Sequence, residues 1–230
     1  MPERVLIVAG GTGGHIYPAL AVAEILRHEG VGLRWLGARG GMEERLVARQ
    51  DVPMDTLKVS GLRGKRLTGW LLAPMMVVAA TWQAVVAIRR FKPGVVLGMG
   101  GFVSGPGGLA AFLCRRPLVI HEQNAVAGLT NRVLSRIATR VLQAYPGCFG
   151  ERGIETGNPV RAAIEALSSV SRNPPLERSV RLLVVGGSRG ARRLNEVLPA
   201  ALAGSAQGAF EVWHQTGEAG AAATRAAYAQ

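Results

Sequence analysis

The chain has little cysteine, few aromatic side chains and few carboxylates, and each shortage removes a class of function. Cys114 and Cys148 are the only thiols. Two such distant residues make neither a disulfide framework nor a C-x-x-C metal site, so we expect inert thiols in a reducing compartment. Aromatics are 5% of residues, and no finger, helix-turn-helix or RNP pattern is present, so no nucleic-acid partner is expected. No Asp-x-Asp occurs, so nothing in the sequence calls for a metal, and no cofactor is expected. No secretory signal is visible, because the N-terminus runs straight into an apolar strand. Carboxylates number 15 against 27 Lys and Arg, for a formal charge of +12. That excess suits phosphorylated ligands or an anionic membrane surface.

What is abundant is glycine, and it is clustered. Val5–Ala9 reads as a buried strand, Gly10-Gly11-Thr12-Gly13-Gly14-His15 as a loop, and the run after Pro18 as a helix. Strand, glycine loop and helix form a phosphate cradle: the bare backbone approaches an anion and the helix N-terminus points N–H groups at it. His15 places a titratable group beside that cradle, which suggests catalysis as well as binding. A nicotinamide fingerprint fits poorly. Gly11 and Gly13 match its first two glycines, but the third place is Ile16, and no carboxylate follows the second strand, Leu33–Leu36.

The arrangement recurs. Gly94–Gly98 is a strand, glycine then fills positions 100, 101, 105, 107 and 108, and a helix is expected from Leu109. Strand Leu118–Ile120 runs into His121-Glu122-Gln123-Asn124, a polar cluster where open α/β sheets bind ligands. Residues 151–161 break regular structure at Gly157-Asn158-Pro159. Strand Arg181–Val185, loop Gly186–Ala191, helix Leu194–Leu202 and strand Phe210–His214 make one further βαβ unit. The expected fold is therefore α/β, with two Rossmann-like doubly wound domains: residues 1–159, and residues 160–230 as an incomplete second domain.

Leu67 to Ile88 contains no charge, which raises the question of a transmembrane span. Pro74, Thr68, Thr81 and Gln83 argue against one. A core helix whose outer face, around Trp70, Leu71, Leu72, Met75 and Met76, lies on a membrane fits better. Arg63, Lys65 and Arg66 precede it, and Arg89, Arg90 and Lys92 follow.

The runs GGTGGHIYPALAVA (10–23), SGLRGK (60–65), VVLGMGGFVSGPGGLAA (95–111), HEQNAVAGLTNR (121–132), TGNPVR (156–161) and VVGGSRGARRLN (184–195) stand in an order that resembles the MurG family. These are bacterial peptidoglycan glycosyltransferases of GT-B fold. The resemblance implies inverting transfer of N-acetylglucosamine from UDP-GlcNAc to the C4 hydroxyl of the muramyl sugar in lipid I. It implies peripheral association with the cytoplasmic face of the inner membrane, with other cell-wall synthesis proteins as further partners. It assigns donor contacts to Thr12, Gly13, Gly14, Asn124, Arg161 and Ser188. The acceptor diphosphate goes to the first two glycine loops, including Gly11, Gly100, Gly101, Ser104 and Gly105. The membrane patch falls on Arg63, Lys65, Trp70, Leu71 and Met75. His15 is the expected general base and Glu122 the second candidate. Family residues for the uracil, ribose and sugar would lie largely beyond these positions. Two alternatives remain open: another GT-B UDP-sugar transferase or epimerase, and a non-catalytic, membrane-docking acceptor half that needs a partner chain.

Overall fold

The computed structural model describes residues 3–59, 73–169, 179–186, 191–204 and 209–229. They form two compact units, Met1–Ser169 and Val170–Gln230. The division falls C-terminal of the expected 159/160 position.

The first unit is a seven-stranded sheet in the order β3-β2-β1-β4-β5-β6-β7. The strands are β1 (Arg4–Val8), β2 (Gly32–Ala38), β3 (Met54–Leu57), β4 (Val95–Gly98), β5 (Leu118–Glu122), β6 (Arg140–Gln143) and β7 (Gly153–Glu155). Every pairing is parallel. β1 is buried from Val5 to Val8, as a central parallel strand covered on both faces must be. The order reverses between β1 and β4, so the crevice at their C-terminal ends is the topological switch point, where such sheets bind ligands.

Helices α1 (Gly13–His28), α2 (Met42–Ala48), α3 (Ala73–Phe91), α4 (Ser104–Leu113) and α5 (Leu129–Leu134) cover the sheet. Two cores result. One is built around Leu6, Val8, Ile88, Val96 and Ile120; the other is built around Ile7, Ile16, Leu20, Trp35 and Met99.

Three elements differ from expectation. α1 starts at Gly13 and contains Pro18, because the Thr12 carbonyl already accepts the N–H groups of His15 and Ile16. His15 therefore stands in the first helical turn and not in the loop. α4 starts at Ser104, so Gly105, Gly107 and Gly108 are helical. A Cβ on Gly107 would lie 2.7 Å from Val8 Cγ1, and one on Gly108 2.7 Å from Leu134 Cδ1. Gly107 and Gly108 let the helix sit close against its neighbours. Residues 153–155, read as irregular, add β7 to the sheet edge.

α3 carries the apolar stretch from residue 73 onward, with Pro74 in its first turn. Among the described residues no helix is long and apolar enough to cross a membrane. In the second unit β8 (Val180–Val185) and β9 (Phe210–Gln215) pair in parallel, with α7 (Arg192–Ala203) between them and α8 (Ala221–Tyr228) after. A short helix, α6 (Ala162–Glu165), closes the first unit's chain.

Candidate active site at the switch point

The β1–α1 and β4–α4 loops interlock at the switch point. Gly101 has φ +83°, and a Cβ there would lie 2.0 Å from the Gly10 carbonyl oxygen. Gly100 has φ +95°, and its Cβ would lie 2.6 Å from His15 Cδ2. Only glycine allows both the backbone twist and the approach. The two loops thus present bare backbone and one imidazole to the same crevice. Ser104 Oγ is 2.7 Å from the Gly100 carbonyl and 2.9 Å from that of Val8. Its hydroxyl is turned into the protein, where it holds the second loop against β1.

His15 is half-buried. Its Nδ1 lies 3.1 Å from Thr12 Oγ1, and the opposite ring edge faces Gly100. Burial holds its pKa below the ordinary 6.5, partly offset by the Glu122 charge. The neutral imidazole is therefore the form present at neutral pH, as a proton acceptor requires. When Nδ1–H donates to Thr12 Oγ1, Nε2 is left as the acceptor.

Glu122, at the end of β5, is 1% exposed. Oε1 accepts from the Asn124 backbone N–H at 3.1 Å and its side-chain amide at 2.8 Å. Oε2 accepts from Gly128 N–H at 3.1 Å and Asn131 Nδ2 at 3.0 Å. With both oxygens doubly bonded and out of solvent, this is an anchor for the 124–131 segment. Its oxygens are not open to a substrate proton, as the second base candidate would need.

His121, on the same strand, carries no role of its own in the sequence pattern. It is buried, and its Nε2 lies 3.0 Å from the Gly157 carbonyl, fixing the segment that leads to Arg161. Burial lowers its pKa too; the Gly157 contact and Glu122 oppose the shift. Arg161 caps α6, and its guanidinium stacks 4.8 Å from the Tyr17 ring centroid.

Of the expected donor residues, Thr12, Gly13, Gly14 and Asn124 therefore stand around the switch-point crevice. Arg161 stands against Tyr17 of α1. Ser188 falls outside the described residues, as do Arg63, Lys65, Trp70 and Leu71. Met75 is described, and is 71% exposed. Sequence reasoning missed Glu43, a fully buried carboxylate beside the first loop. Among the described residues no group of His, Cys, Asp and Glu is arranged to hold a metal.

A doubly wound parallel domain with glycine loops at its switch point, followed by a second α/β unit, has the layout of the GT-B glycosyltransferases. Residues 5–143 match the glycosyltransferase family 28 N-terminal domain, and residues 181–230 the glycosyltransferase family 28 C-terminal domain. The chain belongs to glycosyltransferase family 28.

A relative from Alkalilimnicola ehrlichii is 55% identical over the whole of this chain and 65% of its own length. It is named UDP-N-acetylglucosamine--N-acetylmuramyl-(pentapeptide) pyrophosphoryl-undecaprenol N-acetylglucosamine transferase. One of the same name from Nitrosococcus oceani is 54% identical, covering 94% of this chain and 62% of its own length. The chain thus spans just under two thirds of these relatives. The crystal structure of Acinetobacter baumannii MurG superposes with a TM-score of 0.75 at 38% identity, over 100% of this chain and 63% of that one. A putative UDP-N-acetylglucosamine 2-epimerase from Listeria monocytogenes, 15% identical with a TM-score of 0.62, shares the fold.

Proposed function

We propose that this chain supplies the acceptor side and the general base of an inverting N-acetylglucosaminyltransferase. The reaction would move GlcNAc from UDP-GlcNAc to the C4 hydroxyl of the muramyl sugar in lipid I. The observation that carries this reading is the placement of a neutral, half-buried imidazole between two interlocked glycine loops at the switch point of a family 28 fold. The names of the relatives supply the substrates.

The C4 hydroxyl attacks the anomeric carbon from the face opposite UDP. His15 Nε2 takes the hydroxyl proton as the C–O bond forms. The UDP–sugar bond breaks with its electron pair on the diphosphate, whose growing charge needs N–H or cationic partners. In the first unit, the N-terminus of α1 and Arg161 are the groups we assign to the donor. The loops around Gly11, Gly100 and Gly101 are assigned to the acceptor diphosphate. Glu122 acts through Asn124, Gly128 and Asn131, which it holds in place.

The shift on His15 fixes the sign of the pH dependence. Its protonated form is disfavoured by burial, so the base stays available below pH 6.5. The acid limb of kcat/KM is expected below that value, with activity lost as pH falls through the lowered pKa. An acid limb above 6.5 would remove His15 from the base role.

We further propose peripheral association with an anionic membrane. Met75, Val78, Trp82 and Val86 lie three to four residues apart on α3 and are all exposed, Trp82 to 64%. That spacing makes one apolar stripe along a helix, and Arg89 and Arg90 close it. Trp82→Glu is expected to weaken binding to phosphatidylglycerol vesicles about tenfold or more, measured by co-sedimentation. Unchanged binding would take α3 out of the membrane contact.

A further inference from the structure

The first glycine loop is gripped from two sides, and one grip is a buried carboxyl group. Glu43 is the second residue of α2, whose N-cap is Gly41, a position where the helix dipole favours a carboxylate. Its side chain is fully buried. Oε1 accepts the Ala38 N–H at 2.8 Å and Oε2 the Gly11 N–H at 3.3 Å. Three glycines make room for it. A Cβ at Gly10 would stand 2.3 Å from Oε1, one at Gly37 2.7 Å from Cγ, and one at Gly41 2.4 Å from Oε2. Among the described residues no cation pairs with it. An unpaired buried carboxylate is costly, so mere space-filling between α2 and the loop would be better served by an apolar side chain. What a carboxylate adds is two acceptors in one rigid group.

We propose that Glu43 is a positioning residue for the catalytic turn: it draws the Gly11 N–H inward and so holds Thr12 and His15 in their working geometry. This rests on the reading of His15 as the base. The route is short. Gly11 is pinned at φ +91°. The next residue, Thr12, accepts the His15 N–H through its carbonyl at 3.1 Å and meets His15 Nδ1 through its hydroxyl at 3.1 Å. Gly101 backs Gly10 from the other side. With the loop held between Glu43 and Gly101, the Thr12 hydroxyl stays where it keeps the proton on Nδ1 and leaves Nε2 bare.

Glu43→Gln tests this, because an amide has one acceptor where the carboxylate has two. The shorter contact keeps the amide oxygen on Ala38, which turns the NH₂ toward the Gly11 N–H, donor against donor. Long-range ¹H–¹⁵N spectra of the histidine side chains of this chain are the first readout, with His15 assigned by its loss in His15→Gln. The parent is expected to show the Nδ1-protonated tautomer at His15, and Glu43→Gln a mixture of tautomers. In the protein at the length of its relatives, kcat is expected to fall about tenfold, with KM for UDP-GlcNAc within about twofold. Glu43→Asp keeps both acceptors on a shorter arm and is expected to fall between the two in kcat and tautomer ratio; it carries the test if Glu43→Gln does not fold. A parent-like His15 spectrum and parent-like kcat in the folded variant, with only a lowered Tm, would overturn the proposal and leave Glu43 a purely structural side chain. If the parent itself transfers no sugar, the functional reading fails, while the His15 spectra still decide whether Glu43 sets the turn.

Discussion

His15→Ala is expected to lower kcat by roughly 10²- to 10⁴-fold, the usual contribution of a positioned general base. Folding should be little affected, because His15 is half-buried and its side-chain hydrogen bond to Thr12 is exposed. Circular dichroism and the unfolding midpoint should therefore match the parent while turnover collapses. KM for UDP-GlcNAc should move little, since the imidazole acts on the acceptor hydroxyl. A loss confined to KM would make His15 a phosphate ligand instead. Near-normal turnover would leave the switch-point crevice without a base.

Glu122→Ala should behave in the opposite way, with stability lost first. The carboxylate satisfies four N–H groups contributed by Asn124, Gly128 and Asn131. Removing it leaves buried donors unpaired and a cavity behind, a cost of about 3–5 kcal/mol. For a unit of this size that corresponds to a fall in Tm of about 10 °C. Glu122→Gln should recover part of it, because one amide oxygen can still accept two of the four donors. Thermal unfolding of the parent and both variants checks this ordering. If Glu122→Ala keeps the parent Tm but loses turnover, Glu122 is a reacting group and not an anchor.

These two residues also show how far the sequence reaches. The crevice was legible because buried parallel strands are continuous apolar runs, and a glycine cluster directly after one has few uses other than close backbone approach. His15 could be placed beside the cradle by chain position alone. The role of Glu122 could not, because an exposed carboxylate and one bonded to four N–H groups look alike in a row of letters. Glu43 was missed for the same reason: Met42-Glu43-Glu44-Arg45 reads as a solvated helix start. The one hint was indirect, glycines at 37 and 41 shortly before an acidic residue.

Helix starts were also hidden. Pro18 looked like the beginning of α1, but Thr12 had already opened it. The glycines at 105, 107 and 108 looked like loop because glycine is a poor helix former. They are helical because α4 packs directly on Val8 and Leu134, a tertiary demand that local propensity cannot show. The stacking of Arg161 on Tyr17 joins residues far apart in the chain, and no spacing rule brings them together.

The most direct test of the proposed chemistry is the configuration of the new bond. The protein at the length of its relatives would be given ¹³C-labelled UDP-GlcNAc and a lipid I analogue, and the anomeric carbon–hydrogen coupling of the product read by NMR. In-line attack by a hydroxyl activated at His15, on the α-linked donor sugar, gives a β-1,4 linkage. An α-linked product, or GlcNAc released to water with no acceptor sugar attached, would contradict a single displacement at the switch-point crevice.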